Sequence, residues 1–174
     1  MALKLLISYY YYDTINMEFL ECIVPEYGLK ISYPTTWEKV NKTDLRPLLV
    51  IGFRRPRKNN SGPFLESVGI AIIVISSDLV TSPSHIILKE YIDGNIADLK
   101  HRFSDFVLAE SAPTTIAGNE AHQLVYIERG TKNLAVFTVK GNKVYNIVYR
   151  SRPEVFLKYL STVEQMIASF EFLS

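Results

Sequence analysis

A chain of 174 residues with 48% hydrophobic and 21% charged side chains has the make-up of a globular domain, which excludes a disordered or fibrous chain and allows one sizeable core. Nineteen Lys and Arg against eighteen Asp and Glu give a formal charge of +1, so no overall field steers the molecule to nucleic acid or an anionic membrane, and such binding would need a local patch. A single cysteine, Cys22, excludes an internal disulfide.

At the N-terminus, Met1 to Ile7 is apolar over too few residues for the core of a signal peptide before Tyr9 to Tyr12 and Asp13 interrupt it. Glu21 beside Cys22 argues against a lipoprotein attachment site. Residues 1–21 are therefore expected to be a tail, with Met17 as an alternative start, and residues 22–174 a single domain in the cytoplasm. No apolar stretch approaches the ~20 residues of a membrane span.

Leu29 to Tyr33 alternates apolar and polar residues and ends at Pro34, which predicts a half-buried strand. Trp37 to Val40 reads as a short extended segment and Leu48 to Arg54 as a third strand. The loop from Arg55 to Pro63 follows, rich in Pro, Asn and Gly. Ser67 to Ser76 is an almost unbroken β-branched run, apolar on both sides, and is expected in the middle of a sheet with a layer on each face. From Ser82 and Pro83 the period changes: Leu88, Ile92, Ile96, Leu99 and Phe103 mark a helix over about 83–103. Four strand-like runs come next, Phe106 to Ser111, Ala121 to Glu128, Leu134 to Lys140 and Lys143 to Arg150. Gly141-Asn142 predicts an antiparallel hairpin between the last two. A second amphipathic helix begins at Pro153 and aligns Phe156, Leu160, Val163, Ile167 and Phe170. The fold class is thus α+β, an antiparallel sheet covered by two helices.

Tyr27-Gly28-Leu29-Lys30-Ile31-Ser32-Tyr33-Pro34-Thr35-Thr36-Trp37 resembles the opening signature of PsbP-like proteins, a Tyr-Gly-x-x-Ile-x-Tyr-Pro-x-x-Trp run. Tyr91 to Phe103, Thr115 to Ala121 with Leu124-Val125-Tyr126, and Tyr145 to Phe172 are similar to that family in order and spacing. The resemblance covers about Tyr27 to Phe172. It implies an α/β/α sandwich with a central, mostly antiparallel sheet of about six to seven strands and two main helices. Members include an extrinsic subunit of the photosynthetic oxygen-evolving complex and, by fold, a nuclear-import factor that binds the GTPase Ran; none is typified by a catalytic motif. The Tyr-rich leader does not match the segment through which PsbP contacts the photosystem, so the resemblance does not extend to the photosynthetic role.

Chemistry-bearing residues are scattered. His85, His101 and His122 lack zinc-ligand spacing, and the nearest to a site is His101 with Asp98 or Asp105 on one helix face. Cys22 sits beside Glu21 in an apolar run, which disfavours a reactive thiolate. There is no Gly-x-Ser-x-Gly elbow or Gly-rich phosphate loop, and Glu90 and Asp93 read as a solvated helix face. No cofactor or metal is expected. The sharpest candidate is the basic loop, with Arg54, Arg55, Arg57 and Lys58 within five residues, able to hold an acidic partner, a phosphate backbone or an anionic membrane. The expected function is a non-catalytic protein-binding or accessory module. The alternatives are a binder of nucleic acid or anionic membrane through residues 54–58, and a small-molecule-binding protein or enzyme with its site assembled from distant residues.

Overall fold

Among the described residues, ten strands and two helices follow one another in the order β1 (Phe19–Val24), β2 (Leu29–Pro34), β3 (Glu38–Asn41), β4 (Leu49–Arg54), β5 (Gly69–Ser76), α1 (Ser84–Arg102), β6 (Val107–Ile116), β7 (Asn119–Glu128), β8 (Thr131–Lys140), β9 (Lys143–Ser151), α2 (Pro153–Ala168) and β10 (Glu171–Phe172). The computed structural model describes residues 17–41, 49–56, 69–76 and 84–173. Seven strands form one sheet, in the order β3-β4-β5-β9-β8-β7-β6, and three form a second, β1-β2-β10. Every pairing is antiparallel.

The predicted hairpin is present. Lys140 pairs with Lys143 across Gly141-Asn142, where Gly141 takes a φ of +61° that an L side chain resists. Because successive side chains of a strand point to opposite faces, β8 and β9 divide their apolar residues between two cores. Leu134, Val136, Tyr145, Ile147 and Tyr149 pack beneath α2. Ala135, Phe137, Val139 and Val144 pack beneath α1, with Ile87, Leu88, Ile92 and Leu99. The small sheet joins α2 in covering its face, through Cys22, Leu29 and Ile31. The result is the expected α+β sandwich.

β5 lies third in the sheet, inside it as its apolar run predicts, but α1 packs on β7 and β8 rather than over β5. Ile72 and Val74 are buried on the α2 side, while Ala71 and Ile73 on the other face are half-buried. The most complete two-sided burial therefore falls on β8 and β9. The tail expected over 1–21 overlaps the fold: Phe19, Leu20 and Glu21 already pair with Pro34, Tyr33 and Ser32. β6 runs past Ser111 to Ile116 despite Pro113, which an edge strand tolerates because no neighbour needs its missing N–H. β10 is too short to carry a sequence pattern. The segment Ser67-Val68 and the Ser82-Pro83 helix start lie outside the described residues.

The Tyr27–Trp37 signature is structural. Gly28 closes a turn by donating to the Pro25 carbonyl at 3.0 Å with a left-handed φ of +63°, where no neighbour crowds it and only backbone strain selects Gly. Leu29 and Ile31 then enter the core fully buried, Tyr33 stacks on Phe53 at 4.5 Å, and Trp37 is buried after a turn in which its N–H meets the Pro34 carbonyl at 2.9 Å. Ser169 fixes the end of α2 to this strand, accepting from the Ser32 N–H at 2.8 Å and donating to the Met166 carbonyl at 2.7 Å.

One end of the large sheet holds a partly buried polar chain. Arg150 donates to Glu128 Oε1 and, through Nε, to Asn133 Oδ1 at 3.1 Å; Thr131 donates to the Glu128 carbonyl at 2.8 Å. The Glu128 side chain is only 8% exposed. Removing one partner of such a pair leaves a buried charge without compensation. Because the Arg150 side chain is itself 37% exposed, Arg150→Ala is expected to lower stability by about 1–3 kcal/mol in urea unfolding, and Arg150→Ala with Glu128→Gln to recover a measurable part. Equal stabilities of the single and double variants would contradict this.

Burial pushes the phenols of Tyr126 and Tyr149 up to about 12. Tyr149 also donates to the Phe156 carbonyl at 3.0 Å, pinning the first turn of α2 to β9. In the unfolded chain these phenols ionise near the ordinary value of about 10, so below that pH their contribution to stability is complete and it falls as pH rises toward 12. Urea midpoints measured from pH 9 to 11.5 are expected to decline, and less steeply in Tyr126→Phe.

Candidate functional site

Of the four cations expected to form one cluster, the two described, Arg54 and Arg55, have different partners. Arg54, the last residue of β4, donates Nε to Glu38 Oε2 at 3.0 Å across the β3–β4 pair. Both side chains are about half exposed, at 51% and 48%, where an ion pair contributes little stability but leaves less free charge for a partner. Arg57 and Lys58 lie outside the described residues.

Arg55 is placed differently. Its guanidinium sits 5.1 Å from the centre of the Tyr159 ring and donates to the Tyr159 hydroxyl. Lys158 also lies over that ring, at 5.6 Å. The tyrosine is positioned because α2 turns Phe156, Val163 and Met166 into the core, leaving Tyr159 half-buried at the margin, where its ring meets both cations. Lys132, reaching over from β8, holds its ammonium 4.6 Å above the Phe156 ring. Arg152, exposed, precedes the first turn. Arg55, Lys132, Arg152 and Lys158 thus surround the first two turns of α2, against a single carboxylate on those turns, Glu154. The helix N-terminus adds partial positive charge to the same place. Beside Lys158, Leu157 is 75% exposed.

This arrangement offers aromatic, apolar and cationic contacts on a rigid helix. It suits an acidic macromolecular surface, since Arg55 is already oriented by Tyr159 and loses less side-chain freedom on binding. The α2 half of the site escaped the sequence. Arg55 and Tyr159 are 104 residues apart. The one local signal was Leu157, an apolar residue off the Phe156–Leu160–Val163–Ile167 stripe.

The other candidates do not assemble. His101 is exposed, Asp98 pairs with Arg102, and Asp105 instead accepts from the Gly130 N–H at 3.1 Å. Backbone hydrogen bonds, chiefly from Arg129, hold the Asp105 carboxyl below its usual range. His122 Nε2 lies 2.8 Å from Ser111 Oγ on adjacent strands, and the His85 side chain is outside the described residues. Among the described residues no three His, Cys, Asp or Glu converge as metal ligands. Cys22 is buried opposite Ile31, within the core. Asp93 pairs with Lys89 on the exposed face of α1. Cavities bordering the described residues include one of about 60 Å³ by Leu88 and Val139 and one of about 240 Å³ between β6–β8 and the end of α2. No helix among the described residues is long and apolar enough to cross a membrane.

No family model matches the chain, and no curated protein matches its sequence. Solved structures do match. Cyanobacterial PsbP from Synechocystis sp. PCC 6803 superposes with a TM-score of 0.63 at 12% identity, over 91% of this chain and 95% of that one. The Ran-binding protein Mog1p of Saccharomyces cerevisiae gives 0.61 at 9% identity, over 91% and 97%. LpqN of Mycobacterium tuberculosis, involved in cell envelope biogenesis, gives 0.60 at 12% identity, over 94% and 95%. At such identities the likeness is one of architecture: the chain has the PsbP-like fold that its Tyr27–Trp37 segment resembles.

Proposed function

We propose that the chain is a non-catalytic protein-binding module that docks an acidic surface of a partner protein against Arg55, Tyr159 and Lys158. The observation that carries this reading is the Arg55 guanidinium held on Tyr159 beside an exposed Leu157. Buried aromatic and Arg anchors supply most of the affinity of protein interfaces, and an apolar neighbour adds area that association removes from water. Among structures of the same fold, Mog1p is a Ran-binding protein, so the architecture is compatible with protein recognition.

Two competing readings have less support. Binding of nucleic acid or anionic membrane draws on many free cations, whereas the net charge is +1 and Arg54 is held by Glu38. A small-molecule site or enzyme ordinarily needs a cavity of roughly 300–1,000 Å³ with convergent polar groups. The cavity by the end of α2 holds about 240 Å³.

Immobilised wild-type chain, challenged with an extract of its source cells, is expected to retain one stoichiometric protein at low salt. Arg55→Ala with Lys158→Ala should weaken that association at least tenfold, with unchanged thermal stability, and Arg54→Ala should weaken it less. Retention by the double variant equal to that of wild type would remove the proposal. Retention of nucleic acid or acidic vesicles in place of protein, with a steep salt dependence, would favour the second reading.

A further inference from the structure

The C-terminal half of α2 borders a site of opposite character. There a cleft of about 240 Å³ opens between the helix and strands β6, β7 and β8. Its floor is apolar, formed by Leu134, Val136 and Ile167, and Thr114, Gln123 and Glu164 add polar groups to its lining. Glu110 lies along the same face of β6 as Thr114 and accepts from Gln123 Nε2 at 3.1 Å. Among the described residues neither Glu164 nor Glu110 makes an ion pair. The cations around α2 gather at its other end, and sixteen helical residues are about 24 Å long.

The chemistry of the cleft selects its occupant. An apolar floor with a carboxylate beside it fits an aliphatic stem ending in a cation, the form of a lysine or arginine side chain. The volume suits one side chain and falls short of a typical small-molecule site. The neighbouring edge of β6 does not invite a further strand. Ile116 and Asn119 flank a two-residue turn, so counting back places Pro113 among the residues whose backbone groups face outward, and Pro113 has no N–H to offer there. Contact is thereby directed to the face of the sheet and away from its edge.

From this geometry we infer that the cleft receives one lysine or arginine side chain from a loop of a basic partner protein. The site is independent of the Arg55 patch and has its own test.

A capped Gly-Ser-Arg-Ser-Gly peptide is titrated into the full chain and followed by amide NMR shifts. Saturable shifts are expected at Thr114, Gln123 and Ile167. Glu164→Gln and, separately, Ala168→Trp, which fills the cleft from an exposed position, should each weaken binding at least tenfold. The same peptide with norleucine in place of Arg should move none of these amides. Arg55→Ala with Lys158→Ala should leave the titration unchanged, so failure of either site is distinguishable from failure of the other. Absence of saturable shifts, or equal shifts from the norleucine peptide, would overturn the inference. Shifts at these amides on concentrating the chain alone, with a sedimentation mass above the monomer, would overturn it in favour of a second copy of the chain.

Discussion

Everything else in this fold depends on β8 and β9 being buried from both sides at once. Ile147 and Tyr149 are fully buried under α2, and Phe137 and Val144 are buried at 1% exposure under α1. Truncating any one of these to Ala would cost on the order of 2–5 kcal/mol, so neither helix can leave without exposing the centre of the sheet. With both faces of these central strands committed to packing, they have little surface to give to chemistry. Among the described residues, what remains free includes the outward faces of α1 and α2, the edge strands and the margins between α2 and the sheet.

Packing and surface display meet on α2. Its inward stripe of Phe156, Val163 and Met166 makes it a structural element, and Tyr149 and Ser169 hold its two ends. Because both ends are fixed, side chains on the outward face are presented in defined positions, which lowers the ordering cost of binding. Arg55, Lys132, Arg152 and Lys158 collect about its start, while Glu164 lines the cleft near its end. A chain with a formal charge of +1 therefore gathers cations at one end of α2 and has a carboxylate in the cleft at the other, a distinction that composition alone conceals.

The sequence revealed those parts of the fold whose pattern is local. The β-branched run of β5, the Gly141-Asn142 hairpin and the stripe of α2 all follow from spacing within one element. β1 was hidden by the apolar leader before it, and Pro113 masked the second half of β6 because its tolerance depends on being at an edge. The placement of α1 over β8 in preference to β5 is a tertiary choice that neither element records. Of the candidate site, Arg54 and Arg55 were legible as a basic cluster, but not that Glu38 holds one and Tyr159 the other. Those partners lie 16 and 104 residues away.

The central claim is that the molecule works as a rigid scaffold displaying the start of α2 to a partner protein. Amide hydrogen exchange of the chain, with and without the protein that it captures, tests this directly. Slowed exchange at Arg55 and across the first two turns of α2, with the α1 side unchanged, is the predicted result. Protection confined to α1 or to the β1–β2–β10 sheet, with α2 unaffected, would contradict it.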